Sequence, residues 1–366
     1  MTQENMTVDV LVVGTGASGM ATAITAASQG LKVLVVEKEA RFGGTTARSG
    51  GWLWIPGTRL ATEQGIKEPA GAAKDYLKHE TTTHFDEARV DAFLENGPKA
   101  IDFFTQKTCV QFDMPAVFPD YHAEATGGQP GGRSMVTRPF DGRELGPRIK
   151  QLAPPLPELT VFGMMLGSGP EIKHFMRAFK SVQSFAYVTK RLGKHFLDVL
   201  GHGRGMTLTN GNALAGRLAK AAMDLDIPVW LSSPVKKLVV EFDGVAGALV
   251  QHEGKTIRVN ATRGVVLACG GFPHDVERRK QLFPACAYRQ GALLAFARSE
   301  HWRRAAARRS GGRTSRRNHS ARRRVGAGIS NDKARWVKGR HASFHRPRKA
   351  GCHRCDAQWK TLHQRR

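Results

Sequence analysis

Residues 8–37 read VDVLVVGTGASGMATAITAASQGLKVLVVE. Val8 to Val13 is an almost continuous β-branched run, which predicts a strand buried on both faces, as in a parallel sheet. Gly14, Gly16 and Gly19 follow at G-x-G-x-x-G spacing. The small residues from Met20 to Gln29 predict a helix. A second strand, Leu31 to Val36, ends at Glu37, 18 residues after Gly19. Each part has a physical task at a dinucleotide site. Gly14 permits a tight turn. Gly16 lets a pyrophosphate approach the backbone at the positive end of the helix, with Ala17 and Ser18 counted among the cofactor-binding residues. Gly19 lets helix and sheet pack closely. Glu37, with Lys38 after it, stands where an acid accepts from the adenosine ribose hydroxyls.

The following residues distinguish between dinucleotides. A simple nicotinamide dehydrogenase would begin another helix here. Instead, Arg41 to Gly51 reads RFGGTTARSGG, a second loop rich in glycine and hydroxyls. Gly43, Gly44, Thr45, Thr46, Ser49, Gly50 and Gly51 give the small surface needed to wrap a diphosphate and approach a flavin ring. Trp52 and Trp54 argue that this loop is packed rather than free.

The segments EKEARFGGTTARSGGWLWIPG and GVVLACGGF resemble the flavoprotein family of fumarate reductases, succinate dehydrogenases and 3-ketosteroid dehydrogenases. The SGG-x-x-WIP variant is most similar to the ketosteroid dehydrogenase branch. The resemblance extends from Val8 to about Pro284. It implies FAD, with Glu37 on the adenosine ribose, the backbone of Val235 at adenine, and Ala268, Cys269 and Gly270 near the diphosphate. No histidine occurs between Arg41 and Pro56, so the flavin is expected to be non-covalent. The resemblance also implies hydrogen transfer across a carbon–carbon bond next to a carbonyl, on a steroid-like ketone or an unsaturated acid. Hydride would pass between substrate and flavin, and Tyr121 would be an active-site phenol in a proton relay. It leaves the electron acceptor unspecified.

A second cofactor-facing region is expected downstream, where Thr209 to Leu214 leads into an amphipathic helix ending near Asp224. Strands are expected at Ile227–Leu231, Lys237–Phe242 and Ala246–His252, with Asp243-Gly244 as a hairpin turn. Arg263 to Gly271 reads as a returning buried strand. Residues 105–205 read as a mainly helical insertion, with one helix from Pro170 to Leu200. Phe162, Met164, Met165, Leu166, Phe175, Met176 and Phe179 there suit either a core or an apolar substrate or membrane-surface face. Cys269 reads as a small core residue rather than a nucleophile.

The net charge of +25 over 366 residues suggests nucleic acid until it is located. Residues 285–366 hold 23 of the 56 Lys and Arg but only three of the 31 acids, Glu300, Asp332 and Asp356. This boundary splits the chain into a 1–284 FAD-binding domain and a basic tail expected to have little structure. The tail carries 19 Arg against 4 Lys. It has three readings: an arginine-rich nucleic-acid arm, a zinc site from His341, His345, Cys352 and Cys355, or an out-of-frame translation. The third is preferred. Read one base later with GC-rich codons, 285–313 and 345–366 give strings similar to the family's continuation after its GGF strand. The single-codon Trp302, Trp336 and Trp359 each become glycine in that frame. No metal and no specific nucleic-acid partner are therefore expected.

The five cysteines are widely spaced, and Met1 to Thr7 is polar. No apolar run reaches the roughly 18 residues of a membrane span. A cytoplasmic location follows as the expectation. The fold class expected is α/β: a Rossmann-like parallel sheet, a small β-meander and a helical insertion. The function expected is FAD-dependent oxidoreduction, with this particular chain truncated and inactive. The alternative outside enzymes is a non-catalytic FAD-binding or nucleic-acid-binding fragment.

Overall fold

The computed structural model describes residues 4–115, 117–167, 170–242, 244–271, 275 and 278. The basic tail and the Asp243 turn residue therefore lie outside the described residues, as do the ligands considered for zinc.

The chain opens with β1 (Asn5–Val13), α1 (Ala17–Ser28) and β2 (Val33–Val36). Residues of β1 enter two different cores, and a register shift between Val8 and Val10 sets which. Val10 and Val12 pack with Met20, Ala23 and Ile24 of α1, whereas Val8, Leu11 and Val13 join Leu34 and Val36 in another cluster. Both faces of the strand are thus covered, as its apolar run requires. Gln29 and Gly30 close α1 through the Ala26 and Ala27 carbonyls.

The chain then runs through β3 (Trp52–Trp54), α2 (Arg59–Glu63), α3 (Ala72–Thr81) and α4 (Glu87–Lys107). Asp86 caps α4 by accepting from the Arg89 N–H. Next come β4 (Phe112–Asp113), β5 (Ser134–Thr137) and β6 (Phe140–Asp141), then β7 (Thr160–Val161) and β8 (Met164–Met165). The helices α5 (Pro170–Met176) and α6 (Val182–His202) precede β9 (Thr207–Leu208) and α7 (Asn210–Asp224). Last come β10 (Val229–Trp230), β11 (Val235–Glu241), β12 (Gly244–His252) and β13 (Lys255–Leu267).

The main sheet has six strands in the order β10-β2-β1-β13-β12-β11. β1 pairs in parallel with both β2 and β13, and β10 with β2. β11, β12 and β13 form an antiparallel meander. α7 lies on α1, sharing Leu214, Leu218, Ala221 and Ala222 with its core. The carboxyl ends of β1 and β2 therefore open onto the two glycine loops, where ligands bind in open α/β sheets.

Several expectations need correction. The helix expected over Pro170–Leu200 is two helices, because Ser181 takes extended geometry and N-caps α6 through the Ser184 N–H. The returning strand begins at Lys255, eight residues before Arg263. Its later half is only partly buried, and Leu267 is exposed. β12 pairs with it only as far as Asn260, so beyond that point β1 is its one strand partner among the described residues. The apolar residues singled out in the insertion divide. Met164 and Met165 are core, whereas Phe162, Met176 and Phe179 are exposed.

Candidate functional site

The first turn is held from three sides. The Gly14 N–H donates to the Val36 carbonyl at 2.8 Å. Gly14 takes φ 111°, and an added Cβ would strike the Ala268 carbonyl. Only glycine meets both demands. Ala268 in turn donates its N–H to Val13 at 2.8 Å. A Cβ at Gly19 would run into the Gly14 backbone, so this glycine does set close helix–turn packing.

Glu37 is buried and already structural. Its Oε2 accepts from the Thr15 N–H at 3.1 Å and the Thr15 hydroxyl at 2.6 Å, and Oε1 accepts from the Glu39 N–H at 3.1 Å. The acid thus orders the turn that precedes α1, and an ionised carboxylate has acceptor capacity beyond these three bonds. Lys38 beside it is exposed and lies 3.8 Å from Glu39.

Thr15 links the two glycine loops. While its hydroxyl donates to Glu37, its Oγ1 accepts from the Gly43 N–H at 3.1 Å. A second link runs from the Ala17 N–H to Thr46 Oγ1 at 2.9 Å. An added Cβ on Gly44 would stand 3.8 Å from the Gly16 backbone. Thr45 precedes a short 3₁₀ turn, Thr46–Arg48, and Ser49 donates its hydroxyl to the Thr46 carbonyl at 2.8 Å. Gly50 is exposed, with Trp52 next to the position its Cβ would take. Gly51 takes φ 69° against the Asn210–Gly211 backbone, where no side chain fits.

These features suit a dinucleotide diphosphate. The N-cap of α1 is Gly16, without a side-chain cap, and no acid occupies the first turn. The positive helix end thus carries no acid of its own and faces a loop of glycines and hydroxyls, with Thr46 already accepting from the Ala17 N–H. Ser18 lies in that first turn and offers its carbonyl to Thr22.

Val235 lies beside Glu37 in space. The Ser233 N–H donates to the Glu37 carbonyl at 2.7 Å, and Val235 is buried with Val13 and Val36. Cys269 is exposed rather than a core residue, because it follows the open end of β13. Partial desolvation, then the Glu37 carboxylate, pushes its thiol up from the ordinary value, so it is a poor nucleophile at neutral pH. Gly270 is likewise exposed, at φ 73°. Among the described residues no cluster of potential metal ligands occurs.

Tyr121 is 96 % exposed, but the residue before it is fixed in the core. Asp120 accepts from Trp54 Nε1 at 2.7 Å, from the Gln129 N–H at 3.0 Å and from Arg133 at 2.7 Å. Arg133, 1 % exposed, also forks onto Glu68 at 2.6 and 3.0 Å. Its guanidinium lies 5.6 Å from the ring centres of both Trp54 and Tyr76.

The sequence reading did not single out Thr15 or assign a task to Asn212. Asn212 is buried and joins three segments. Its Nδ2 donates to Ala47 at 3.1 Å and Ala153 at 2.8 Å, while Oδ1 accepts from Arg204 at 3.0 Å. Arg204 also donates to the Ile149 and Leu152 carbonyls. Burial, with Arg41 second, holds it down at about 10. The Asn210-Gly211-Asn212 triplet was the available signal: Asn210 takes φ 52°, a conformation asparagine tolerates.

Comparison with known proteins agrees with this geometry. The family model described as "FAD binding domain" matches residues 9–298. A 4-oxocyclohex-2-ene-1-carboxylate 5-dehydrogenase of Sinomonas cyclohexanicum is 42 % identical over 284 residues, covering 77 % of this chain and 48 % of that protein. A 3-oxosteroid 1-dehydrogenase of Mycobacterium tuberculosis is 35 % identical over 283 residues, covering 74 % and 48 %. The crystal structure of a 3-ketosteroid Δ1-dehydrogenase from Sterolibacterium denitrificans superposes with a TM-score of 0.68 at 34 % identity, covering 75 % of this chain and 50 % of that one. The chain spans about half the length of the curated relatives it matches.

Proposed function

We propose, from the premise that this chain belongs to the FAD-binding oxidoreductase family of fumarate reductases, succinate dehydrogenases and ketosteroid dehydrogenases, that its two glycine loops hold FAD non-covalently for dehydrogenation of a cyclic ketone next to its carbonyl. The observation that carries the reading is the Thr15 linkage, which joins the ribose acid Glu37 to the second glycine loop at Gly43. Gly14, Gly16, Ala17, Ser18 and Gly19 form the turn and helix end toward the diphosphate. Gly43, Gly44, Thr45, Thr46, Ser49, Gly50 and Gly51 form the facing wall. Val235 supports adenine, and Ala268, Cys269 and Gly270 close the near end.

FAD, when bound, supplies the hydride acceptor. The chain's own residues orient it and move protons. Tyr121 is the proton-relay candidate, carried beside the anchored Asp120. A cyclic oxo substrate is favoured over fumarate because two relatives covered over most of this chain are named for oxo-ring dehydrogenation. The absence of histidine from Arg41 to Pro56 supports non-covalent attachment.

The abrupt change to 19 Arg and 4 Lys after Pro284 supports an out-of-frame tail, although the family match itself runs to residue 298. On that reading the chain as written binds flavin but does not turn over. The test is purification of the 366-residue chain, with its flavin identified after acid precipitation. FAD in the supernatant supports the assignment; flavin retained in the pellet refutes non-covalent binding, and preference for NAD refutes the site. Sequencing the coding DNA near Pro284, then assaying a frame-restored protein on 3-oxosteroids and 4-oxocyclohex-2-ene-1-carboxylate, tests the tail. Full activity of the unmodified chain would overturn it.

A further inference from the structure

His252 closes a clasp behind the buried acid Glu37. One turn grips the Glu37 backbone on both sides. The Glu37 N–H donates to the Trp230 carbonyl at 2.8 Å, and the Glu37 carbonyl accepts from the Ser233 N–H at 2.7 Å. Between the two gripping residues, Ser232 takes φ 51°. That left-handed conformation is unfavourable for a residue with a side chain, so the turn needs fastening from outside. His252, the last residue of β12, engages both gripping residues. Its imidazole stacks on the Trp230 ring, with centroids 4.1 Å apart and planes 6° from parallel. Its Nδ1 lies 2.7 Å from Ser233 Oγ. Beside it, the Gln251 N–H donates to the Pro234 carbonyl at 3.0 Å, so the end of β12 is tied along the turn as well as across it.

The acceptors decide where the protons sit. Ser233 is fully buried, and its Oγ also lies 2.7 Å from the Leu231 carbonyl. A carbonyl only accepts, so the single hydroxyl proton goes there. The Ser233 oxygen then accepts from His252, which fixes the imidazole in its Nδ1–H form. Glu37 therefore has two fastenings. Thr15 orders its carboxylate, and His252 orders its backbone through Trp230 and Ser233. Resting on the assignment of Glu37 to the adenosine ribose, we propose that His252 is a positioning residue for the adenosine half of the cofactor, acting through the Trp230–Ser233 turn that sets Glu37.

The test is titration of the flavin-free 366-residue chain with ADP, which carries the adenosine end alone, and with FAD in parallel. His252→Phe keeps a ring on Trp230 and deletes the donor. It is expected to lose about tenfold in affinity for both nucleotides, as loss of one buried hydrogen bond requires. His252→Asn restores an N–H donor and should recover part of that loss. A general loosening of the fold would add to any other change, whereas an effect exerted through Glu37 should not. In a Glu37→Ala chain, His252→Phe should therefore change ADP affinity by less than about twofold. A spectroscopic reading does not depend on how well the Phe variant folds. Among the 14 histidines, the imidazole nitrogen resonances missing from His252→Asn should show the Nδ1–H form in the parent chain. If the parent binds neither nucleotide, or Glu37→Ala leaves its affinity unchanged, the ribose assignment falls and this inference with it. If Glu37→Ala weakens binding but His252→Phe does not, if the two losses add in full, if His252→Asn recovers nothing, or if the resonances show the Nε2–H form, the role of His252 alone is overturned.

Discussion

Replacing Thr15 by valine keeps the shape of the side chain and deletes one hydroxyl. Thr15 is 2 % exposed, so water cannot substitute for what is lost. Two bonds go together: the 2.6 Å donation to the Glu37 carboxylate and the acceptance from the Gly43 N–H at 3.1 Å. A hydrogen bond to a charged group contributes about 1.5–3 kcal/mol, and a buried donor left unpaired costs about 1–3 kcal/mol. The two losses share one atom and are not additive, so we expect destabilisation of about 2–4 kcal/mol. For a domain of this size that lowers Tm by roughly 4–16 °C. FAD affinity should also fall by at least about tenfold, or 1.4 kcal/mol, because the second glycine loop loses its tie to the first turn. Urea unfolding of the apoprotein and flavin-fluorescence titration measure the two effects separately. A Thr15→Val protein within about 0.5 kcal/mol of the parent, the range of inert surface changes, would refute the linkage. Full FAD affinity in a destabilised protein would confine Thr15 to a structural task.

Three further outcomes are expected. Glu37→Ala should weaken FAD binding by about 1.5–3 kcal/mol, read by equilibrium dialysis; unchanged affinity would remove this acid from the ribose site. Asp120→Asn should cost about 3 kcal/mol in denaturant unfolding, because it breaks a buried pair with Arg133, and a neutral result would show that Glu68 alone satisfies that cation. Cys269 should alkylate slowly in the apoprotein at pH 8, since desolvation and then Glu37 hold its thiol above the ordinary value. Glu37→Gln removes a negative charge that opposes the thiolate, so the pKa falls and alkylation speeds up; a slower reaction in peptide-resolved mass spectrometry would contradict this sign.

The βαβ unit and the glycine loops were legible because their constraints are local. A β-branched run, glycines at three fixed positions and an acid after the second strand each restrict the backbone within a few residues. Asn212 was hidden because its partners, Ala47, Ala153 and Arg204, are brought to it by tertiary structure. The same is true of Arg133, whose partners Glu68 and Asp120 lie on separate loops. The break before α6 had a local cue in Ser181, a good N-cap residue, but the continuous apolar content masked it. The exposed face of α6 was not readable at all. Apolar residues at helical spacing mark a face without saying whether it turns inward, and here Arg191, Glu171, Asp198 and Arg143 claim the inner side.

On the proposed function, the described residues have a closed cofactor side and an open substrate side. Thr15, Glu37, Thr46 and Asn212 are tied to one another or to neighbouring backbone, so the loops proposed to face a diphosphate are held by the chain's own hydrogen bonds. This arrangement reduces the entropy lost on binding. Tyr121, Leu267, Cys269 and Gly270 are exposed instead, and β13 beyond Asn260 has only β1 beside it among the described residues. Excluding water and orienting a ketone require walls on that side, and positioning of reactants is worth roughly 7–11 kcal/mol of barrier. Flavin binding and turnover should therefore separate cleanly. Changes at Thr15 or Glu37 act on the first, while residues that cover Tyr121 and the open edge of β13 act on the second without altering FAD affinity.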